Sequence, residues 1–145
     1  HFAPECFGLL RTQDISKYKQ FQKGLKQLEE EGVMQIFYSP DHVRREPVLA
    51  AVGELQFDVV MSRLENEYGV KTSVERLPHA LARWIVGDPA TISAVYWPSD
   101  TIRLVDQQGR GVMLFTTEHL LAYCIKSNPS IKFLLREEVE QTSAQ

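Results

Sequence analysis

Ser16-Lys17-Tyr18-Lys19-Gln20-Phe21-Gln22-Lys23-Gly24-Leu25-Lys26-Gln27-Leu28-Glu29-Glu30-Glu31-Gly32, followed at once by Val33-Met34-Gln35-Ile36-Phe37-Tyr38, decides the fold. In the first part Tyr18, Phe21, Leu25 and Leu28 recur at spacings of three and four, which is one face of a helix over about residues 16–31. Asp14 and Ser16 are both candidate N-caps. Gly32 stands where a helix end wants a left-handed residue. The second part is short, β-branched and aromatic, a strand that Pro40 ends. Phe7 to Leu10 reads as another short strand ahead of the helix.

Working outward, the polar run from Asp41 to Glu46 reads as a hairpin loop, and Val48 to Val52 as the next strand. Gly53 gives way to a second helix over about 54–68, with Leu55, Val59, Val60, Leu64 and Tyr68 expected on its buried side and Gly69 as its stop. Val70 to Glu75 alternates apolar with polar and reads as a strand. Residues 7–76 therefore read β-α-β-β-α-β. Leu77-Pro78 is a joint, after which the same cycle runs again.

Leu81 to Val86 is the strand that opens the second cycle, and Asp88-Pro89 starts a short helix with Ile92, Val95 and Tyr96 on its inner side. Trp97-Pro98-Ser99-Asp100 breaks that helix. Thr101 to Val105 and Gly111 to Phe115 flank the turn Asp106-Gln107-Gln108-Gly109-Arg110, a hairpin. Thr117 caps a helix with Leu120, Leu121, Cys124 and Ile125 inside, Asn128-Pro129 ends it, and Ile131 to Leu135 is the last strand. Residues 136–145 are polar and expected to fray.

The expected class is α+β: two consecutive ferredoxin-like βαββαβ units, each an antiparallel sheet backed by helices. The competing architecture is one larger mixed sheet with helices on one side. The expected division is residues 1–78, a smaller second unit over 79–136, and a polar tail over 137–145. Element order repeats here, while the residues themselves show no self-similarity.

Composition narrows the function classes. With 145 residues, 43% hydrophobic, 24% charged and a formal net charge of -3, the chain builds a core and is no disordered tail. A sequence pI near 5.8 excludes a wholesale basic nucleic-acid binder but not a local basic face. No run approaches eighteen apolar residues. Cys6 and Cys124 are too few and too far apart for a disulfide scaffold or a zinc site, which fits a reducing, cytoplasmic setting. His1 opens abruptly, as in a piece of a longer protein.

Catalytic patterns are weak. His1, His42, His79 and His119 form no paired ligand motif, and no phosphate loop or dinucleotide fingerprint is present. Cys124, between Tyr123 and Ile125 on an apolar helical face, reads as a packing thiol. The site of a ferredoxin-like acylphosphatase would need a glycine-rich loop after the first strand, where Arg11 to Ile15 supplies an arginine and no glycine. The aromatic string of an RNA-recognition sheet is missing from Val48 to Val52 and from Gly111 to Phe115. No catalytic, cofactor-binding or metal residue is assigned.

Binding is better supported. At 100° per residue Lys19, Lys23 and Lys26 span about 60° on the helix side opposite its apolar face, a basic stripe suited to phosphates. A solvated outer face balanced by Glu29, Glu30 and Glu31 is the plainer reading of the same residues. Arg44 and Arg45 sit in the expected hairpin loop, within reach of a partner. Gly24 inside a good helix costs about 1 kcal/mol relative to alanine, which points to close packing there.

Several stretches carry a resemblance: Phe2-Ala3-Pro4-Glu5, Lys19-Gln20-Phe21-Gln22-Lys23-Gly24-Leu25, Gln27 to Gly32, Gln35-Ile36-Phe37, Val52-Gly53-Glu54-Leu55-Gln56-Phe57-Asp58-Val59-Val60, Arg63-Leu64 with Glu67-Tyr68, and Ala82-Arg83-Trp84. Over about residues 2–86 the chain resembles the C-terminal, third domain of the peptide chain release factor 3 family of class II translational GTPases. Elongation factor G carries a similar helix start and a related third domain, but usually has histidine where Gln56 stands.

The resemblance implies a domain that binds the ribosome in translation termination and promotes dissociation of peptide-releasing factors afterwards. It implies partners too: the small subunit and its rRNA, the protein's own G domain and β-barrel, and class I release factors. It implies GTP or GDP with magnesium in a G domain outside this chain, so that this chain alone is no enzyme and holds no cofactor. A cytoplasmic monomer without membrane contact is expected. Lys19, Lys23, Lys26, Arg44 and Arg45 are the ribosome-contact candidates. The rival classes are the corresponding domain of an elongation-type GTPase and a stand-alone ferredoxin-like enzyme or ligand sensor.

Overall fold

In the computed structural model, which describes residues 6–41 and 46–143, the chain forms two four-stranded antiparallel sheets. The first cycle is β1 (Cys6–Thr12), a 3-10 turn (Ile15–Lys17), α1 (Tyr18–Glu30), β2 (Gln35–Phe37), β3 (Val48–Ala51), α2 (Leu55–Tyr68) and β4 (Thr72–Arg76). The second is β5 (Leu81–Val86), α3 (Pro89–Ser93), β6 (Ile102–Val105), β7 (Gly111–Phe115), α4 (Glu118–Ser127) and β8 (Lys132–Leu134), with α5 (Arg136–Ser143) after it. Strand orders are β2-β3-β1-β4 and β6-β7-β5-β8. Each is the ferredoxin-like order, so the competing single mixed sheet is not what forms.

Period-2 alternation then stacks the molecule in four layers. In β1, Leu10 turns toward α1 and α2, where Phe21, Leu25, Leu28, Phe57, Val60 and Leu64 complete one core. Phe7 and Leu9 turn the other way, with Phe37, Val48 and Ala50, onto Ala82, Trp84, Leu104, Val112 and Leu114 of the second sheet. The far face of that second sheet, Ile85, Met113 and Phe115, packs on Ile92, Leu121 and Cys124 of its own helices. Strands buried on both faces read as continuous apolar runs, which is why Val48–Ala51 and Val112–Phe115 show no polar alternation. The two sheets also touch edge to edge: Tyr38 and Val105 exchange both backbone hydrogen bonds at 2.8 Å.

Local chemistry explains the element ends. Asp14 caps the first helical segment, accepting from the Ser16 N–H at 3.0 Å and the Ser16 hydroxyl at 2.6 Å. Gly32 and Gly69 follow α1 and α2 with φ of +78° and +69°. After α1, Val33 bonds back to Leu28 and Gly32 to Glu29, a Schellman closure, while after α2 Gly69 itself bonds back to Glu65 at 3.0 Å, the simpler left-handed closure. Gly24 is where α1 and α2 meet: a Cβ there would lie 2.6 Å from Leu64 Cδ2 and 3.0 Å from Tyr68 Cδ2.

Four expectations need correction. Leu55 and Val59 are exposed, Leu55 at 74%, because the buried face of α2 runs through Phe57, Val60 and Leu64. Tyr96 is 95% exposed, since α3 ends at Ser93 and the helical period does not reach it. Ile125 points outward past Leu121 and Cys124. Residues 136–143 do not fray. Glu138 Oε1 accepts from the Leu135 N–H at 2.8 Å in half a capping box, Arg136 pairs with Glu140 at 2.9 Å, and Val139 inserts between the sheets.

Candidate functional site

The outer face of α1 is set by what its inner face buries. Phe21, Gly24, Leu25 and Leu28 point inward, so Lys19, Lys23 and Lys26 fall outside and are all exposed. Seven residues separate the first from the last, about 10 Å along the axis. None forms an ion pair with another described residue. The acids that follow them are engaged elsewhere. Arg63 Nη1 donates to Glu31 at 2.7 Å, and the same guanidinium also pairs with Glu67. Those contacts hold both carboxyls below the ordinary carboxylate range. Glu29 turns inward instead. The plain solvated-face reading, with Glu29 to Glu31 neutralising the lysines, is thus weakened at two of three acids. Arg44 and Arg45 lie outside the described residues.

At its C-terminal end the stripe runs into the joint. Lys26 lines a cleft of about 300 Å³ together with Glu29, Gln107, Arg110 and Arg136. The cleft is built on Asp106, which is buried at the start of the β6–β7 turn. Its carboxylate accepts from Trp84 Nε1 at 2.9 Å, from the backbone N–H groups of Gln108 and Arg110 at 2.9 Å, and from Arg110 Nε at 2.7 Å. Trp84 in turn meets Phe37 of the first sheet edge to face, centroids 5.8 Å apart. One carboxylate therefore shapes the turn and holds the tryptophan that joins the sheets.

Glu29 closes the other wall. Its Oε2 accepts from the Ile36 N–H at 2.7 Å, covering the outer edge of β2. Burial raises its pKa, and the Ile36 hydrogen bond only partly opposes that. A carboxyl whose folded pKa is raised favours the fold while protonated, below its ordinary unfolded value, and that contribution is lost as pH climbs through the folded value. Glu29→Gln is expected to raise the melting temperature slightly at pH 7, and the gain is expected to shrink toward zero near pH 4. Paired melting curves at the two pH values check this.

The opposite end of α1 opens on a second pocket, of about 230 Å³, lined by Leu10, Ile15, Tyr18 and Phe21 with Arg11 and Glu46. Ile15 is 79% exposed. It went unread in the sequence, where the available signal was its place four residues before Lys19. The start of α2 makes a third feature. Gln56 Oε1 accepts from the N–H groups of Val52 at 2.7 Å and Gly53 at 3.3 Å, pinning the turn between β3 and α2. Gln56, the residue where this sequence departs from the elongation-factor pattern, is thus the one that fixes the helix start. Cys124 is buried, which raises its thiol pKa and suits packing. Among the described residues no cluster of three or more His, Cys, Asp or Glu could hold a metal, and no helix is long and apolar enough to cross a membrane.

Known proteins are similar to this chain in sequence. The family model described as "Class II release factor RF3, C-terminal domain" matches residues 1–125. The peptide chain release factor 3 of Cyanothece sp. is 47% identical over 131 residues, 90% of this chain and 24% of its own length. That of Nostoc punctiforme is 46% identical over 132 residues, 91% of this chain and 24% of its own. That of Symbiobacterium thermophilum is 41% identical over 132 residues, 91% of this chain and 25% of its own. The chain spans about a quarter of the length of the curated relatives it matches.

Proposed function

We propose, because this chain belongs to the class II release factor RF3 family as its C-terminal domain, that it is the ribosome-binding end of a translation-termination GTPase that promotes recycling of peptide-releasing factors. The observation that carries this is the family match over residues 1–125, which covers the first sheet and three of the four strands of the second. The geometry supports a mechanical part. A sheet-to-sheet core couples the two units, so a push delivered to one is passed to the other rather than absorbed by a loose linker. The partner of Lys19, Lys23 and Lys26 on this reading is ribosomal RNA phosphate, with Arg44 and Arg45 as further candidates.

GTP or GDP with magnesium would bind in a G domain of the longer protein, and differential contacts of the two nucleotide forms would bias the position of this module. The small subunit, the protein's own G and β-barrel domains and the class I release factors are the partners proposed, and the setting is a cytoplasmic monomer. The units over 1–78 and 79–136 act together in this scheme.

Turnover of a peptide-releasing factor on termination complexes tests it. With the longer protein and GTP present, one releasing-factor molecule is expected to serve many ribosomes. A turnover rate that does not respond to the protein would contradict the recycling role.

A further inference from the structure

The chain crosses its joint twice. The first crossing is Leu77-Pro78. There the Leu77 N–H donates to the Phe7 carbonyl of the first sheet at 2.9 Å, and the Ala80 N–H donates to the Phe115 carbonyl of the second at 3.0 Å. The second crossing is α5, which leaves β8 of the second sheet and reaches back to the first unit. Its Arg136 lines a cleft of about 270 Å³ together with Glu29, Gln35, Ala50 and Ala51, all of the first unit. Its Val139 lies in the sheet-to-sheet core with Phe7, Trp84 and Leu114.

Little apolar area ties α5 down. Among its described side chains Val139 alone is buried. On its other side a further cleft of about 270 Å³ opens between Glu138, Gln141 and Thr142 of the helix and Val86 and Leu134 of the second sheet. The Glu138 cap on Leu135 and the Arg136–Glu140 pair fasten the helix to itself and not to either sheet. Eight residues are too few for a helix to persist without packing. Elements with few buried apolar contacts open ahead of the core.

We propose that α5 is a strap across the joint, one that opens by itself while both sheets stay folded and whose opening lets the sheets shift against each other. Closed, it binds the two units into one body. Open, it uncovers one side of the core around Trp84 and leaves the units held by the rest of that core and by the Tyr38–Val105 bridge. Lifting it also takes the Arg136 charge, which favours the ionised form of Glu29, out of the clefts beside β2. The proposal concerns the fold alone and stands apart from the ribosome reading.

Amide hydrogen exchange of the full chain, read residue by residue, tests it. The amides of Glu140, Gln141 and Thr142 are expected to exchange about a hundredfold or more faster than those of the central strands β5 and β7. Low urea is expected to leave the α5 rates unchanged, because little surface is exposed in the opening. Glu138→Ala removes the cap from an exposed position and leaves the core intact. It is expected to speed α5 by about fivefold, the usual size of a lost cap. The Tyr38 and Val105 amides, whose mutual hydrogen bonds close the joint, are expected to speed by a similar factor. Val139→Ala is expected to speed both groups by about tenfold, as for two buried methyl groups. Unchanged rates for the amides shared by β1 and β3 certify the fold of each variant.

The proposal is overturned if α5 is as well protected as β5 and β7, which would make it part of the core. It is overturned too if the Tyr38 and Val105 amides of Glu138→Ala exchange as in wild type, which would make α5 a fraying end that holds nothing. Val139→Ala alone leaves a cavity in the joint, so the cap variant, which leaves none, decides between a strap and a packing defect.

Discussion

A fragment ending at Pro78 is expected to lose its cooperative melting transition. Cutting there leaves sheet one with its helices but uncovers Phe7, Leu9, Phe37 and Val48, all buried against the second sheet. At about 1.5–3 kcal/mol for each large apolar side chain returned to water, the loss is about 6–12 kcal/mol. Domain stabilities run about 5–15 kcal/mol, so the loss is of the same size as everything holding the fragment together. The strand pairing of β1 with β3 and β4 lies within the fragment, so secondary structure is expected to survive while packing does not. Far-ultraviolet circular dichroism close to native, strong binding of a hydrophobic dye and a flat thermal trace is the expected combination. A fragment that melts as sharply as its share of the intact chain would contradict the shared core.

Trp84→Ala is expected to cost about 3–5 kcal/mol, the range for a large buried aromatic. Trp84 is 2% exposed, touches Phe37 across the joint and donates to Asp106. Trp84→Phe separates the two roles. It keeps an aromatic contact to Phe37 but removes one donor from a carboxylate that retains Arg110 and two backbone N–H groups. It is therefore expected to cost about 1–3 kcal/mol, the range for a lost buried hydrogen bond. Denaturant midpoints of the two variants give the comparison, with a single transition in each because the residue belongs to the joint of both units. An alanine variant within 1 kcal/mol of wild type would mean that the joint is not tightly packed.

Much of this fold was legible because its strands are short, apolar and closely punctuated. Leu81–Val86 and Gly111–Phe115 carry the same bounds in the sequence reading and in the structure. The N-cap Asp88-Pro89 and the Thr117 cap also lie where their side chains accept hydrogen bonds, from Thr91 and Leu120. What escaped has physical reasons. Leu55 and Val59 share a helical row with each other, and only the phase of Phe57 tells which row is buried. The α5 helix is polar in composition, and its order comes from one capping carboxylate and one buried valine. Trp84 and Asp106 are 22 residues apart, a spacing with no local periodicity to announce it.

The stripe on α1 was legible as a pattern, since helical phase alone puts Lys19, Lys23 and Lys26 together. Its setting was not. That Glu31 is engaged by Arg63 and Glu29 by the edge of β2 depends on α2 and β2 folding back onto α1. The cleft at its C-terminal end likewise needs Trp84 and the Asp106–Arg110 turn, remote in sequence, whereas the pocket at its other end is built mostly from the local stretch 10–21. Ile15 carries no signal beyond its place four residues before Lys19, and the pocket beside it exists only once β1 and the 3-10 turn enclose the space.

The salt dependence of ribosome affinity, measured for the longer protein with Lys19, Lys23 and Lys26 all changed to glutamine, tests the account most directly. Binding is expected to weaken. The slope of log affinity against log salt is expected to fall by roughly 2 to 3 units, about 0.7–0.9 for each phosphate no longer neutralised. Melting is expected to stay within about 0.5 kcal/mol of wild type, because all three side chains are exposed. A triple variant that binds as wild type at every salt concentration would contradict the account, and would make the stripe a solvated face and nothing more.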